Sequence, residues 1–230
     1  MKSKKDILSH SEENYLKEIF HLSGKEKVKV STNALAERLS TKASSITDML
    51  QKLKAKKLVA YQKYKGCQLT EKGEQIALQI IRKHRLWETF LVNKLDFGWD
   101  EVHDVAEQLE HIRSLKLIDS IDQFLNFPKF DPHGDPIPDK DGNINYQESK
   151  IKLSESSVKT LVEVVSVNEE SLALLKYLDE IGLKIGSEIA VYSRVSFDGS
   201  IAVEIDNKQE ISLSKKISEN IGVKFKSKLT

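Results

Sequence analysis

All four prolines of the chain fall between Pro128 and Pro138, and the hydrophobic period differs on the two sides of them. Before them, apolar residues recur at the roughly 3.6-residue spacing of helices, interrupted once by two β-like segments. From residue 158 onward they alternate with period 2, with turn signals at Gly186, Asp198-Gly199 and Asp206-Asn207. A chain divided in this way is mainly α with a small β domain, a barrel of about five strands. The expected organisation is a first domain over 1–74, a helical domain over 75–145, a linker over 146–157 and the β domain over 158–230.

Within the first domain, Tyr15, Ile19 and Leu22 mark a helix over 11–22 opening near Ser11, and TNALAERL over 32–39 a second. A third, over 44–56, buries Ile46, Leu50 and Leu53. LVAYQKY and GCQLT then form two short strands joined around Lys65-Gly66. Helix–helix–helix–hairpin is the order of a winged helix-turn-helix. In that motif the second helix-turn-helix element enters the major groove at its N-terminal end, which here carries Lys42, Ser44, Ser45, Thr47 and Asp48. Lys52 lies off the buried stripe, and Lys63 and Lys65 stand in the wing, placed to neutralise phosphates. A solvated lysine-rich face is the plain alternative, and winged helices also bind protein.

The net charge of +1 over 230 residues hides its distribution. Residues 1–75 hold 16 Lys+Arg against 9 Asp+Glu, net +7, whereas residues 76–155 hold 10 against 15, net −5. A basic module joined to an acidic one implies two tasks. The single cysteine, Cys67, forbids an intrachain disulfide and fits a reducing compartment. No apolar run approaches the roughly 20 residues of a membrane helix, and the charged first residues lack a secretion signal's apolar core. The expectation is a cytoplasmic protein that engages no membrane.

Helical patterns continue from Glu71 to about Leu95, from roughly Asp100 to Leu117, and over 118–126. His84 and Glu88 are spaced i, i+4 on the first of these. On the second, His103, Glu107, Glu110 and His111 share an arc of about 100°, opposite Val102, Val105, Ala106, Leu109 and Ile112. Carboxylate and imidazole together suit borderline or hard divalent ions. One such pair is ordinary on a solvated face; two helices carrying them beside a DNA-binding module favour a metal site. No nucleophile–base arrangement or phosphate loop accompanies these residues, so an enzyme acting on a small organic substrate is not expected.

The run His84-Arg-Leu-Trp-Glu88, the spacing His103-x3-Glu107-x2-Glu110-His111 and the preceding winged helix resemble the DtxR/MntR family of metal-dependent repressors, in its longer three-domain form. The resemblance implies a winged helix, a helical dimerisation domain and a C-terminal SH3-like (FeoA-like) β-barrel. It also implies a homodimer that binds palindromic double-stranded operator DNA when loaded with metal. The apolar Trp87, Phe90, Leu91 and Ile118 offer surface for the dimer or for the core. By position, Glu107, Glu110 and His111 belong to the regulatory metal site, and His84, Glu88 and His103 to an ancillary one.

Glu107 stands where iron-type members have Cys and manganese-type members Glu, which favours Mn²⁺, with Fe²⁺ next and Zn²⁺, Co²⁺ or Ni²⁺ as in vitro substitutes. The N-terminal ligand position holds Asn14 rather than Met or Asp. Lys17 stands where the short manganese regulators have a second acid. Asp131 and His133 match a family loop that supplies ancillary ligands, a solvated turn being the alternative, and Glu170, beside Glu169, matches a ligand position in the β domain. The implied function is metal-dependent repression of metal-homeostasis genes. A constitutive winged-helix protein and a metal-dependent hydrolase are the alternatives.

Overall fold

A computed structural model describes residues 7–145, 150–168 and 171–229. The chain divides into two compact units, Met1–His84 with Glu107–Leu115 and Pro138–Asn143, and Arg85–Ala106 with Lys116–Ile137 and Ile144–Thr230. The first unit thus draws residues from both sides of the boundary expected at residues 74–75.

In the first unit, α1 spans His10–Ser23, α2 Thr32–Arg38 and α3 Ala43–Ala55. The cap of α1 is Ser9 rather than Ser11. Its side chain accepts from Glu12 N, and the Glu12 carboxylate accepts from Ser9 N, which satisfies two otherwise orphaned donors. Ile46, Leu50 and Leu53 of α3 are wholly buried, at i, i+4 and i+7. Each such burial stabilises the fold by roughly 1.5–3 kcal/mol. They pack with Tyr15, Leu16 and Ile19 of α1 and Leu35 of α2. The hairpin β1 (Val59–Gln62) and β2 (Gly66–Leu69) pairs Val59 with Leu69 through Gln62 with Gly66. Cys67 also exchanges two backbone hydrogen bonds with Val30, which ties the wing to the strand-like residue before α2. Gly66 has a φ of 80°, and a Cβ there would lie 2.5 Å from Val30 O, so the wing needs glycine at this step. The winged helix-turn-helix is present as expected.

The helix α4 (Glu71–Leu95) has the expected bounds. The helix expected over 100–117 ends early, as α5 (Val102–Leu109), and the one expected over 118–126 begins sooner, as α6 (Leu115–Phe124). α5 closes in a turn in which Ile112 N donates to Leu109 O. Glu110 and His111 therefore lie beyond its end, their side chains drawn toward α1 by the contacts described below.

In the second unit, β3 (Ile151–Lys152), β4 (Thr160–Val167), β5 (Glu188–Arg194), β6 (Ile201–Ile205), β7 (Gln209–Leu213) and β8 (Ile221–Lys228) form one antiparallel sheet, in the order β3-β8-β4-β5-β6-β7. The sheet starts at Ile151, inside the expected linker, and Leu153 is fully buried in its core. Inward-facing Val162, Val164, Ile189, Val191, Ile201 and Val203 fill that core beneath α7 (Leu172–Glu180). A short helix, α8 (Lys215–Ser218), precedes β8. The β6–β7 turn falls at Asp206 and Asn207, both in the left-handed region that favours Asn and Asp. Among the described residues, no helix is long and apolar enough to cross a membrane.

Candidate metal centre

At about 100° per residue, His10, Glu13, Asn14 and Lys17 fall within an arc of about 100°, so α1 presents them on one face. The Lys17 ammonium donates to the Glu107 carboxylate and to both oxygens of Glu110, at 2.8 and 2.9 Å. His84 Nδ1 lies 2.7 Å from Glu110 Oε2, so both oxygens of the fully buried Glu110 are engaged. His84, Glu107 and Glu110 can each offer one ligand atom within 4.8 Å of the others. His111 is held differently. Its Nδ1 is 2.6 Å from Glu13 Oε2, its ring stacks on His10 at 4.1 Å, and its Nε2 is 4.0 Å from Glu110 Oε1. Two ligands about 2 Å from one ion lie some 3–4 Å apart, so that last gap suits a shared cation.

The electrostatics follow from burial and pairing. Burial disfavours the Lys17 ammonium, but Glu110 and Glu107 outweigh it and raise its pKa above the ordinary lysine value. Burial likewise works against the Glu110 carboxylate; the His84 hydrogen bond and Lys17 overcome it and hold the pKa below the usual range. Lys83 donates to Glu110 O, and its burial pushes its pKa down despite the attraction of Glu13 and Glu110.

Asn14 Oδ1 is buried without a hydrogen-bond partner, an expensive state for an amide oxygen. A cation would satisfy it. Carboxylates, imidazole and an amide oxygen, with no thiolate, form a donor set that fits Mn²⁺ or Fe²⁺.

A second cluster lies in the other unit. Glu88, Asp131 and His133 offer ligand atoms within 4.8 Å of one another, and Glu88 and His133 are fully buried. His103 Nδ1 is 3.4 Å from Glu88 Oε1, and His133 Nδ1 is 3.9 Å from Glu88 Oε2. Asp131 Oδ1 accepts from the backbone of His133 and Asp135, while Oδ2 faces Arg85 Nε at 3.3 Å. Gly134, with φ 86°, lets this loop meet β4: a Cβ there would lie 2.0 Å from Val165 O. Beside it, Val167 N donates to His133 O. Trp99 packs edge-on against the His133 ring at 5.5 Å.

The sequence reading grouped His84 with Glu88 and His103. Within the first unit His84 also hydrogen-bonds Glu110, and within the second Glu88 and His103 pair. Glu170 lies outside the described residues. Glu13, His10, Lys83, Arg85 and Trp99 were not singled out as site residues. The spacing of His10, Glu13 and Lys17 along α1 was the available signal for the first two.

On the DNA-reading side, Lys42, Ser44, Ser45, Asp48 and Lys52 are exposed along α3, and Lys63 and Lys65 are exposed at the hairpin tip. Thr47 is half-buried, and its hydroxyl donates to Ala43 O at 3.0 Å. Tyr64, 92 % exposed between the two wing lysines, sits beneath Lys63 Nζ at 5.1 Å from the ring centre.

Three family models match the chain in succession: the iron dependent repressor N-terminal DNA binding domain over 7–67, the iron dependent repressor metal binding and dimerisation domain over 70–139, and the FeoA domain over 151–224. A solved structure of a manganese-dependent transcriptional repressor in complex with manganese is 37 % identical. The match covers 94 % of this chain and 100 % of that one, with a TM-score of 0.82. The manganese regulator SloR is 34 % identical over 94 % of this chain and 98 % of its own, with a TM-score of 0.71. The HTH-type transcriptional regulator MntR of Oceanobacillus iheyensis is 31 % identical over 153 residues, 66 % of this chain and 97 % of that protein. Other relatives are matched in part. The match spans 54 % of the iron-dependent repressor IdeR of Mycobacterium tuberculosis and 16 % of a probable metal transport system membrane protein of Chlamydia trachomatis serovar D. Matched nearly end to end by solved manganese-dependent regulators, and matched in succession by the three family models, the chain belongs to the DtxR/MntR family of iron-dependent repressors.

Proposed function

We propose that this protein is a metal-dependent transcriptional repressor, cytoplasmic and homodimeric, that binds palindromic operator DNA when loaded with Mn²⁺ or Fe²⁺. One observation carries the reading: Glu107, Glu110 and His111 pack into the same compact unit as the winged helix, against its own α1. Asn14, Glu107, Glu110 and His111 would hold the regulatory ion, which supplies two positive charges shared between the two segments. Asn14 lends its orphaned oxygen from α1, and the carboxylates draw the 107–111 turn toward it. That linkage fixes the attitude of α1, and with it α3, whose exposed N-terminal residues would face the major groove. Glu88, Asp131 and His133, with His103 alongside, would hold an ancillary ion.

The absence of thiolate donors favours Mn²⁺ over softer ions. Operator binding measured with Mn²⁺ and then with chelator tests the proposal. Affinity should fall with chelator by a coupling factor of roughly 5–150-fold, and Glu110→Ala should abolish the difference while leaving the oligomer intact. Equal affinity in both conditions would overturn the sensor reading and leave a constitutive DNA-binding protein.

A further inference from the structure

His84, Glu107 and Glu110 converge as a cation site does, and a cation already stands among the two carboxylates: the ammonium of Lys17. It reaches Glu110 Oε1, the oxygen that faces His111 Nε2 across 4.0 Å. Two cation positions therefore share Glu110, one beside His111 and one at His84, Glu107 and Glu110. Lys17, only 4 % exposed, fills the second from α1.

We propose that Lys17 is a tethered resident cation of the centre. It balances Glu107 and Glu110 in the metal-free protein, restricts the centre to one divalent ion, and weakens that ion's binding by standing against it. The inference rests on the reading of Glu107 and Glu110 as metal ligands. Its physical basis is plain: two positive charges bound to the same carboxylates, inside a buried pocket, repel with little screening. A side chain supplied by the fold is always present at high local concentration, so it sets a threshold that a free metal ion must exceed.

The test is a titration of the 230-residue chain with MnCl₂ alone, started from metal-loaded protein and run against a competing chelator. Affinity and ions per chain are both read for wild type, Lys17→Met, Lys17→Arg and Lys17→Glu. Lys17→Met should bind Mn²⁺ on the order of ten-fold more tightly. Lys17→Arg should keep the wild-type count. Lys17→Glu should add one ion per chain. Unchanged or weaker affinity in Lys17→Met would overturn the proposal by showing that Lys17 positions the carboxylates for metal. An unchanged count in folded Lys17→Glu would overturn the one-ion restriction. If wild type and Glu110→Ala bind Mn²⁺ alike, the reading of the centre itself fails, a result separable from either of these.

Discussion

Glu110→Ala in the metal-free protein probes the strongest electrostatic feature of the first unit. The carboxylate is fully buried and takes three hydrogen bonds, two from Lys17 and one shared with His84. Its removal leaves the Lys17 ammonium buried, facing a Glu107 side chain that is 31 % exposed. Breaking a buried pair from one side costs about 3–5 kcal/mol, most of it the penalty of the stranded charge. Screening through the exposed side of Glu107 argues for the lower end. Urea unfolding followed by far-UV circular dichroism should report a loss of about 3 kcal/mol with little change in the denaturant slope. The Lys17→Met/Glu110→Leu double variant should recover most of that loss, because both charges leave together. A loss below about 1 kcal/mol for Glu110→Ala, or a double variant as unstable as the single, would refute the argument that this ion pair holds α1 to the 107–111 turn.

Three further outcomes follow from separate parts of the molecule. Gly134→Ala should destabilise by about 1–3 kcal/mol, because it adds a Cβ against Val165 O at positive φ; faster amide exchange at Val167 would reveal loosening at His133. Lys65→Ala should weaken operator and non-operator DNA alike and lower the salt-dependence slope by about one, as read by binding at several salt concentrations. Burial pushes the Cys67 thiol up to about 12 from 9.0, so it should resist a thiol reagent at pH 8 until the protein unfolds. The sign is that of an acid held protonated by the fold. Cys67 is neutral to stability below its unfolded pKa and takes stability away as pH rises from about 9 toward 12.

Much of this architecture was legible in the sequence because periodicity reports burial. Ile46, Leu50 and Leu53 announced α3, and the alternation in β4 to β6 announced the sheet. The break at Glu110 was not legible. The apolar pattern continues through Ile112, while the interruption arises from tertiary contacts of Glu110 with Lys17 and His84 that no local signal encodes. The strand at Ile151–Lys152 was hidden for a similar reason, since Ile151 and Leu153 look isolated until β8 is placed beside them. The hydrogen bond between His84 and Glu110 was not legible either, because spacing along α4 does not encode the approach of the 107–111 turn.

The first unit is assembled from three separate stretches, ending with Pro138–Asn143, and its ion-pairing turn comes from Glu107–Leu115. On the ribosome, the winged helix therefore emerges well before the segment that completes its unit. At about 5–20 residues per second, the 31 residues from Arg85 to Leu115 take roughly 2–6 s to synthesise. During that interval the α1 face bearing Glu13, Asn14 and Lys17 has no turn to pair with. Folding of this unit is thus coupled to chain growth across its neighbour, and a fragment cut at residue 74 would carry the DNA-reading helices without the segment that braces them.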